Sequence, residues 1–196
     1  MMKTWLRLLI LSLVIHLSGC TLLAFGTGAT IGGLSASDRR TTGAQADDQM
    51  MELTVGNQIR NYLKVQGADR SDISVVSYNR NILLMGYVAT EEQRQTAERT
   101  ARAQQAANKV YNYITVGDAS ASVTQDTWIT SKVRAMLLRP NGFMPNHVKV
   151  VTYGGVTYAM GILTPEEQEA ATNQIRTVSG VQKVVVLYET FNALQR

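Results

Sequence analysis

The sequence predicts an α+β fold made of two consecutive copies of one αββαβ unit. The first observation behind this is an internal repeat. With Gly86 laid over Gly161, Val75-Val76-Ser77-Tyr78 falls on Val150-Val151-Thr152-Tyr153, Met85-Gly86 on Met160-Gly161, and Glu91-Glu92-Gln93 on Glu166-Glu167-Gln168. The second is a pair of β-branched runs in each copy, joined in the later copy by Gly154-Gly155, which supplies the positive φ values of a two-residue hairpin turn. The third is a helix start shared by both copies. Thr164-Pro165-Glu166-Glu167 puts a hydroxyl at the N-cap, proline at N1 and a carboxylate at N3, and Thr90-Glu91-Glu92-Gln93 makes the same box with glutamine.

Each copy opens on an amphipathic helix with apolar residues at i, i+4, i+7 and i+8. With one residue of slippage, Val55, Ile59, Tyr62 and Leu63 fall on Ile129, Val133, Met136 and Leu137. The hairpin strands of the second copy are 148–153 and 156–163, the later one carrying the small residues Thr157 and Ala159. Asn79-Arg80 replaces the glycine pair in the first copy, a weaker turn signal. The second helices run through Ala97 and Ala101, or Ala171, Ile175 and Val178, and last strands follow at 110–116 and 184–188. The expected domains are 47–116 and 126–191, with a linker at 117–125 and a tail at 192–196.

Residues 1–19 read as a signal peptide. Lys3 and Arg7 precede the apolar stretch Leu8 to Ile15, which is far shorter than the roughly 20 residues of a membrane-spanning helix. Leu17-Ser18-Gly19-Cys20 follows, and Cys20 is the only cysteine in the chain. This resembles the lipobox of bacterial lipoproteins, which implies cleavage before Cys20, a thioether-linked diacylglycerol and an acyl chain on its amino group. Thr21, rather than aspartate, implies sorting to the outer membrane. From 20 to 46 the Gly, Ala, Ser and Thr-rich stretch reads as a lipidated cysteine and flexible tether; alternatively Leu22, Leu23, Phe25 and Ile31 lie against the bilayer.

Loss of residues 1–19 removes two basic and no acidic side chains, lowering the net charge from +4 to +2. That is not the strongly basic footprint of a nucleic-acid binder. A lone cysteine rules out an intramolecular disulfide. His147 is the single histidine after residue 19, so neither a nucleophile–base pair nor a zinc set of Cys and His is available, and no Gly-rich phosphate loop occurs. Asp47-Asp48 ends the tether and Glu166-Glu167 caps a helix. The expectation is a non-enzymatic chain with no cofactor or metal beyond the lipid on Cys20.

The αββαβ order, the glycine after the second strand and the acidic helix start resemble the BON domain. Lipobox, tether and two copies together resemble the dual-BON outer-membrane lipoproteins. The resemblance covers nearly the whole chain, including Asp38-Arg39, Asp47-Asp48 and Asp126-Thr127-Trp128-Ile129-Thr130. It implies that each copy is a small three-stranded mixed sheet with two helices packed on one face. It implies a monomeric, lipid-anchored protein on the periplasmic side of the outer membrane. A part in envelope integrity and a place at the division site are also implied.

Projection of the helix 126–139 places Trp128, Lys132, Ala135 and Arg139 away from the core stripe, with Ser131 and Leu138 further round. Tryptophan and leucine among basic residues suit a bilayer interface. The resemblance implies anionic phospholipid binding through this helix, with Trp128 matching the family's tryptophan. The candidate site is therefore Trp128, Lys132, Arg134, Ala135, Leu138 and Arg139, with Phe143 and Met144 as an extension. The matching first-copy residues read as Thr54, Gln58 and Asn61, a polar face. Two alternatives stay open: Trp128 packs between the domains, or the face docks an outer-membrane assembly or cell-wall remodelling protein. The three cations are equally compatible with a solvated face.

Overall fold

The computed structural model describes residues 38–68, 71–117, 121–139 and 142–192. The stretch 1–19 read as a signal peptide, Cys20, and Leu22, Leu23, Phe25 and Ile31 of the expected tether lie outside them. The first domain comprises α1 (Thr42–Val65), β1 (Asp72–Tyr78), β2 (Asn81–Val88), α2 (Glu91–Arg102) and β3 (Lys109–Val116). The second comprises α3 (Val123–Leu137), β4 (Val148–Tyr153), β5 (Val156–Leu163), α4 (Pro165–Arg176) and β6 (Lys183–Thr190). Each sheet is mixed: β1 pairs antiparallel with β2 and β2 parallel with β3, and β4, β5 and β6 repeat the pattern.

Alternation along the central strands divides the burial. Ile82, Leu84 and Val88 of β2 face α1 and α2, packing on Met51, Val55, Ile59, Leu63, Ala97 and Ala101. Ala159 and Leu163 of β5 do the same beneath α3 and α4. The small residues noted on β5 face the helices: Ala159 is fully buried, and Thr157 is buried with its hydroxyl bonded to that of Thr152 at 3.0 Å. The opposite strand faces meet each other. Val76, Tyr78, Leu83 and Met85 pack on Tyr158, Met160 and Leu187, so the two sheets are back to back with the helices outside. That arrangement buries both faces of the central strands and explains the unbroken apolar run Ile82-Leu83-Leu84-Met85.

Both repeat-defining glycines sit where a Cβ has no room. A methyl on Gly86 would lie 2.0 Å from the Asp72 carbonyl oxygen, and one on Gly161 would lie 2.6 Å from that of His147. Both hairpin turns are left-handed, Gly154-Gly155 at φ 57° and 76° and Asn79-Arg80 at 51° and 64°. The first-copy turn keeps the hairpin without glycine because the Asp48 carboxylate accepts the amides of Asn79 (2.8 Å) and Arg80 (2.7 Å). Both capping boxes form, with Thr90 and Gln93 in one copy and Thr164 and Glu167 in the other.

The boundaries differ from those expected from sequence. The helix α1 starts at Thr42, within the stretch read as tether, because Thr41 caps it by accepting the Ala44 amide at 3.1 Å and Ala44 is buried. Likewise α3 starts at Val123, inside the expected linker, on a Ser122 cap. Just ahead of α1, two arginines bind both domains. Arg39 donates to the Glu167 carboxylate and to the Ile162 carbonyl (2.8 Å), with its guanidinium 4.1 Å above the Phe191 ring. Arg40 pairs with Asp38 and Asp48 and stacks 4.3 Å above Tyr78. The segment 38–41 is thus a clasp between the two domains.

Candidate functional site

The core side of α3 is set by Ile129, Val133 and Leu137. Two polar residues on that side bind the hairpin: Asp126 accepts the Gly154 and Gly155 amides at 2.7 and 3.0 Å, and Thr130 Oγ1 accepts the Thr152 amide at 2.9 Å. The opposite side therefore faces outward. Trp128 is 65% exposed and Leu138 70% exposed. Because the domains meet through their sheets, the first domain does not cover this indole.

The six residues singled out by sequence do not form one cluster. Trp128, Ala135 and Arg139 stand in line at i, i+7 and i+11, with Leu138 beside them, and all four are exposed. Lys132 lies on one flank, its ammonium donating to the Ser179 carbonyl. Arg134 lies on the other flank, turned toward the first domain, with Nη2 3.3 Å from the Val150 carbonyl. Among the described residues none of the three cations makes an ion pair, so their charge is available to an external anion. Phe143 is buried in the second core, whereas Met144 is exposed.

The hydrogen bonds also correct the comparison between the copies. Asp48 and Asp126 each accept the amides of their hairpin turn, and Glu52 and Thr130 each accept the amide of β1 Ser77 or β4 Thr152. Asp48 is separated from Asp126 by the same interval as Glu52 from Thr130, and that interval is one helical turn longer than the one between Val55 and Ile129. The counterpart of Trp128 is therefore Met50, not Thr54, and Met50 is 62% exposed. A stripe repeating every turn specifies a helix face without specifying the turn, which is why periodicity missed the shift. The sequence did carry a signal: an aspartate three residues before the first core residue in Asp48-Gln49-Met50-Met51 and Asp126-Thr127-Trp128-Ile129.

Two grooves run between α1 and α3 over β1 and β4. The first, of about 500 Å³, is lined by Asp38, Arg40, Gln49, Arg134, Leu138 and Lys149, among others. The second, of about 490 Å³, is lined by Arg60, Asp72, Val123, Thr127, Ser131 and Arg134, among others. Lys149 crosses between the domains to the Glu52 carboxylate and the Ser77 carbonyl. Among the described residues no group of His, Cys, Asp and Glu is placed to hold a metal ion, and no helix is long and apolar enough to cross a membrane.

Comparison with known proteins bears on the fold just described. The BON domain family model matches residues 51–118 and 125–187, one match per domain. The chain belongs to the BON-domain family. This dual-BON protein is 31% identical over 183 residues to the outer membrane lipoprotein DolP of Haemophilus influenzae, covering 92% of this chain and 93% of that protein. It is 30% identical to the 21 kDa hemolysin of Actinobacillus pleuropneumoniae, covering 76% of each chain. A third relative, the osmotically-inducible protein Y of Escherichia coli, is 29% identical over 119 residues, 58% of this chain and 59% of that one. The BON matches begin inside α1 and near the start of α3, so the first two turns of α1 and the arginine clasp lie ahead of the first match.

Proposed function

We propose that this protein is an outer-membrane lipoprotein, acylated on Cys20 and facing the periplasm, whose second BON domain binds anionic phospholipid through the outer face of α3. The likeness to DolP over 92% of the chain supports the location, and the lipobox residues Leu17 to Cys20 support the anchor. The observation that carries lipid binding is the exposed Trp128 and Leu138 on a helix whose three cations have no acidic partners among the described residues. The indole takes the wet boundary of the bilayer, Leu138 enters the acyl region, and Arg134, Lys132 and Arg139 meet phosphates on the two flanks. Three cations near an acidic surface contribute about 1 kcal/mol each, a salt-sensitive amount that works with insertion and the anchor rather than alone. The proposal extends to a supporting part in envelope integrity, with a role at the division site resting on the family resemblance alone.

The test is binding of the mature chain carrying Cys20→Ser, which removes the acyl chains, to phosphatidylglycerol vesicles. Trp128→Glu is expected to weaken binding at least tenfold, about 1.4 kcal/mol. Unchanged binding by the folded variant rejects α3 as the lipid site and assigns its face to a protein partner. Metabolic palmitate labelling that persists in Cys20→Ser would reject the anchor.

A further inference from the structure

We propose that β6 of the second domain is a docking edge for β6 of a second copy of this chain, the two strands pairing antiparallel into one continuous sheet. The reading is independent of lipid binding and begins at the outer strands of the two sheets. Strands β3 and β6 each pair on one side only, with β2 and β5. Just past them, the Gly117 amide donates to the Val88 carbonyl (2.9 Å) and the Phe191 amide to the Leu163 carbonyl (2.8 Å). Backbone groups of the odd-numbered residues therefore bind the sheet, and those of the even-numbered residues point outward. In the first domain this edge is closed. Asn112 Oδ1 accepts the Ile114 amide at 3.1 Å, and its Nδ2 is held by Glu98 at 2.9 Å. Asn112 pairs with Leu84, whereas Val186 pairs with Ala159, the repeat counterpart of Leu84. The second domain thus carries valine where the first carries its plug. Val186 is 48% exposed, and no side chain among the described residues takes the Tyr188 amide. An open edge of β-branched residues is a template for another strand.

The residues of the edge specify which strand. Lys183-Val184-Val185-Val186-Leu187-Tyr188-Glu189 is complementary to itself when reversed about Val186. In a two-fold pair centred there, the outward amides and carbonyls of Val184, Val186 and Tyr188 meet those of Tyr188, Val186 and Val184 in the second copy. On the opposite face Val185 lies against Leu187, and Lys183 lies against Glu189. Neither of these charged residues has an ion-pair partner among the described residues. Glu189 is pre-positioned by the side-chain amides of Asn79 (2.9 Å) and Asn81 (2.8 Å), which donate to one of its oxygens. A slide of two residues in one direction sets Lys183 against Leu187, and in the other sets Glu189 against Val185, so the charges hold the register. The matching first-copy strand offers no such pair, because Lys109 would meet Thr115. Dilute chains stay monomeric, as the family resemblance implies, and an anchor at Cys20 supplies the local concentration at which they pair.

The experiment follows the mature chain carrying Cys20→Ser by sedimentation equilibrium up to millimolar concentration. A monomer–dimer equilibrium is expected. Val186→Lys should raise its dissociation constant about tenfold, and Lys183→Glu and Glu189→Lys about fivefold each. Mixing the last two variants should restore pairing, because every facing charge is then opposite in sign. In the chain with no further substitution, the Val186 and Tyr188 amides should exchange freely with solvent when dilute and become protected as the dimer forms. A chain that is monomeric throughout, or a dimer unmoved by Val186→Lys, overturns the proposal. A mixture that pairs no better than its two components also overturns it. So does exchange of the Val186 and Tyr188 amides that is the same in monomer and dimer, whatever the substitutions do to folding.

Discussion

Replacing Arg39 by alanine removes the contact that ties the entry segment to the second domain. Its guanidinium gives a two-pronged pair to Glu167, one bond to the Ile162 carbonyl and a stack on Phe191, and both charged side chains are largely buried. Hydrogen bonds to charged groups contribute about 1.5–3 kcal/mol, and the ring contact about 0.5–1 kcal/mol. Freeing the arginine side chain returns up to about 2 kcal/mol of rotamer entropy, which leaves a net loss of about 2 kcal/mol. In a chain of this size that lowers Tm by roughly 4–8 °C, read by circular dichroism at pH 7. The effect carries a pH signature. Burial works to raise the Glu167 pKa, but the Arg39 hydrogen bond and charge and the Thr164 amide outweigh it, and the group sits below the usual carboxylate range. A depressed native pKa stabilises the fold fully above the unfolded value of about 4.3, and the contribution disappears as pH falls through the native value. The gap between Arg39→Ala and the unaltered protein should therefore narrow as pH falls through the carboxylate range, the Ile162 bond and the Phe191 stack keeping part of it. Melting indistinguishable from wild type at pH 7, or a gap equally wide at low pH, would refute the clasp.

Three further substitutions test the fold. Gly161→Ala places a methyl against the His147 carbonyl oxygen, a backbone atom that cannot step aside, and should cost about 2–4 kcal/mol in urea denaturation; an unshifted midpoint would show that β4 yields. Asp126→Ala strands the amides of two glycines and should cost about 2 kcal/mol, whereas Asp48→Ala should cost more. Asp48 serves two turn amides, the Ser77 hydroxyl and Arg40, and it holds non-glycine residues in a left-handed turn. Equal losses in the two variants would refute that account of the turn.

The sequence by itself determined the duplication, the order of elements, the capped helix starts, the glycine hairpin and the core side of each helix. All of these depend on residues within a few positions of one another, where backbone geometry and periodicity act directly. Sequence reading also found the outward placement of Trp128 as one of two options. Only the tertiary structure decided between them, because the partner of each sheet's outer face belongs to the other copy and leaves no periodic trace. The one-turn register of α1 against α3 was decided by Asp48 and Asp126 reaching their hairpins, a contact between elements. The clasp was hidden for the same reason: Arg39 looks like a charge in a polar tether until Glu167, far along the chain in the second domain, comes within hydrogen-bond reach.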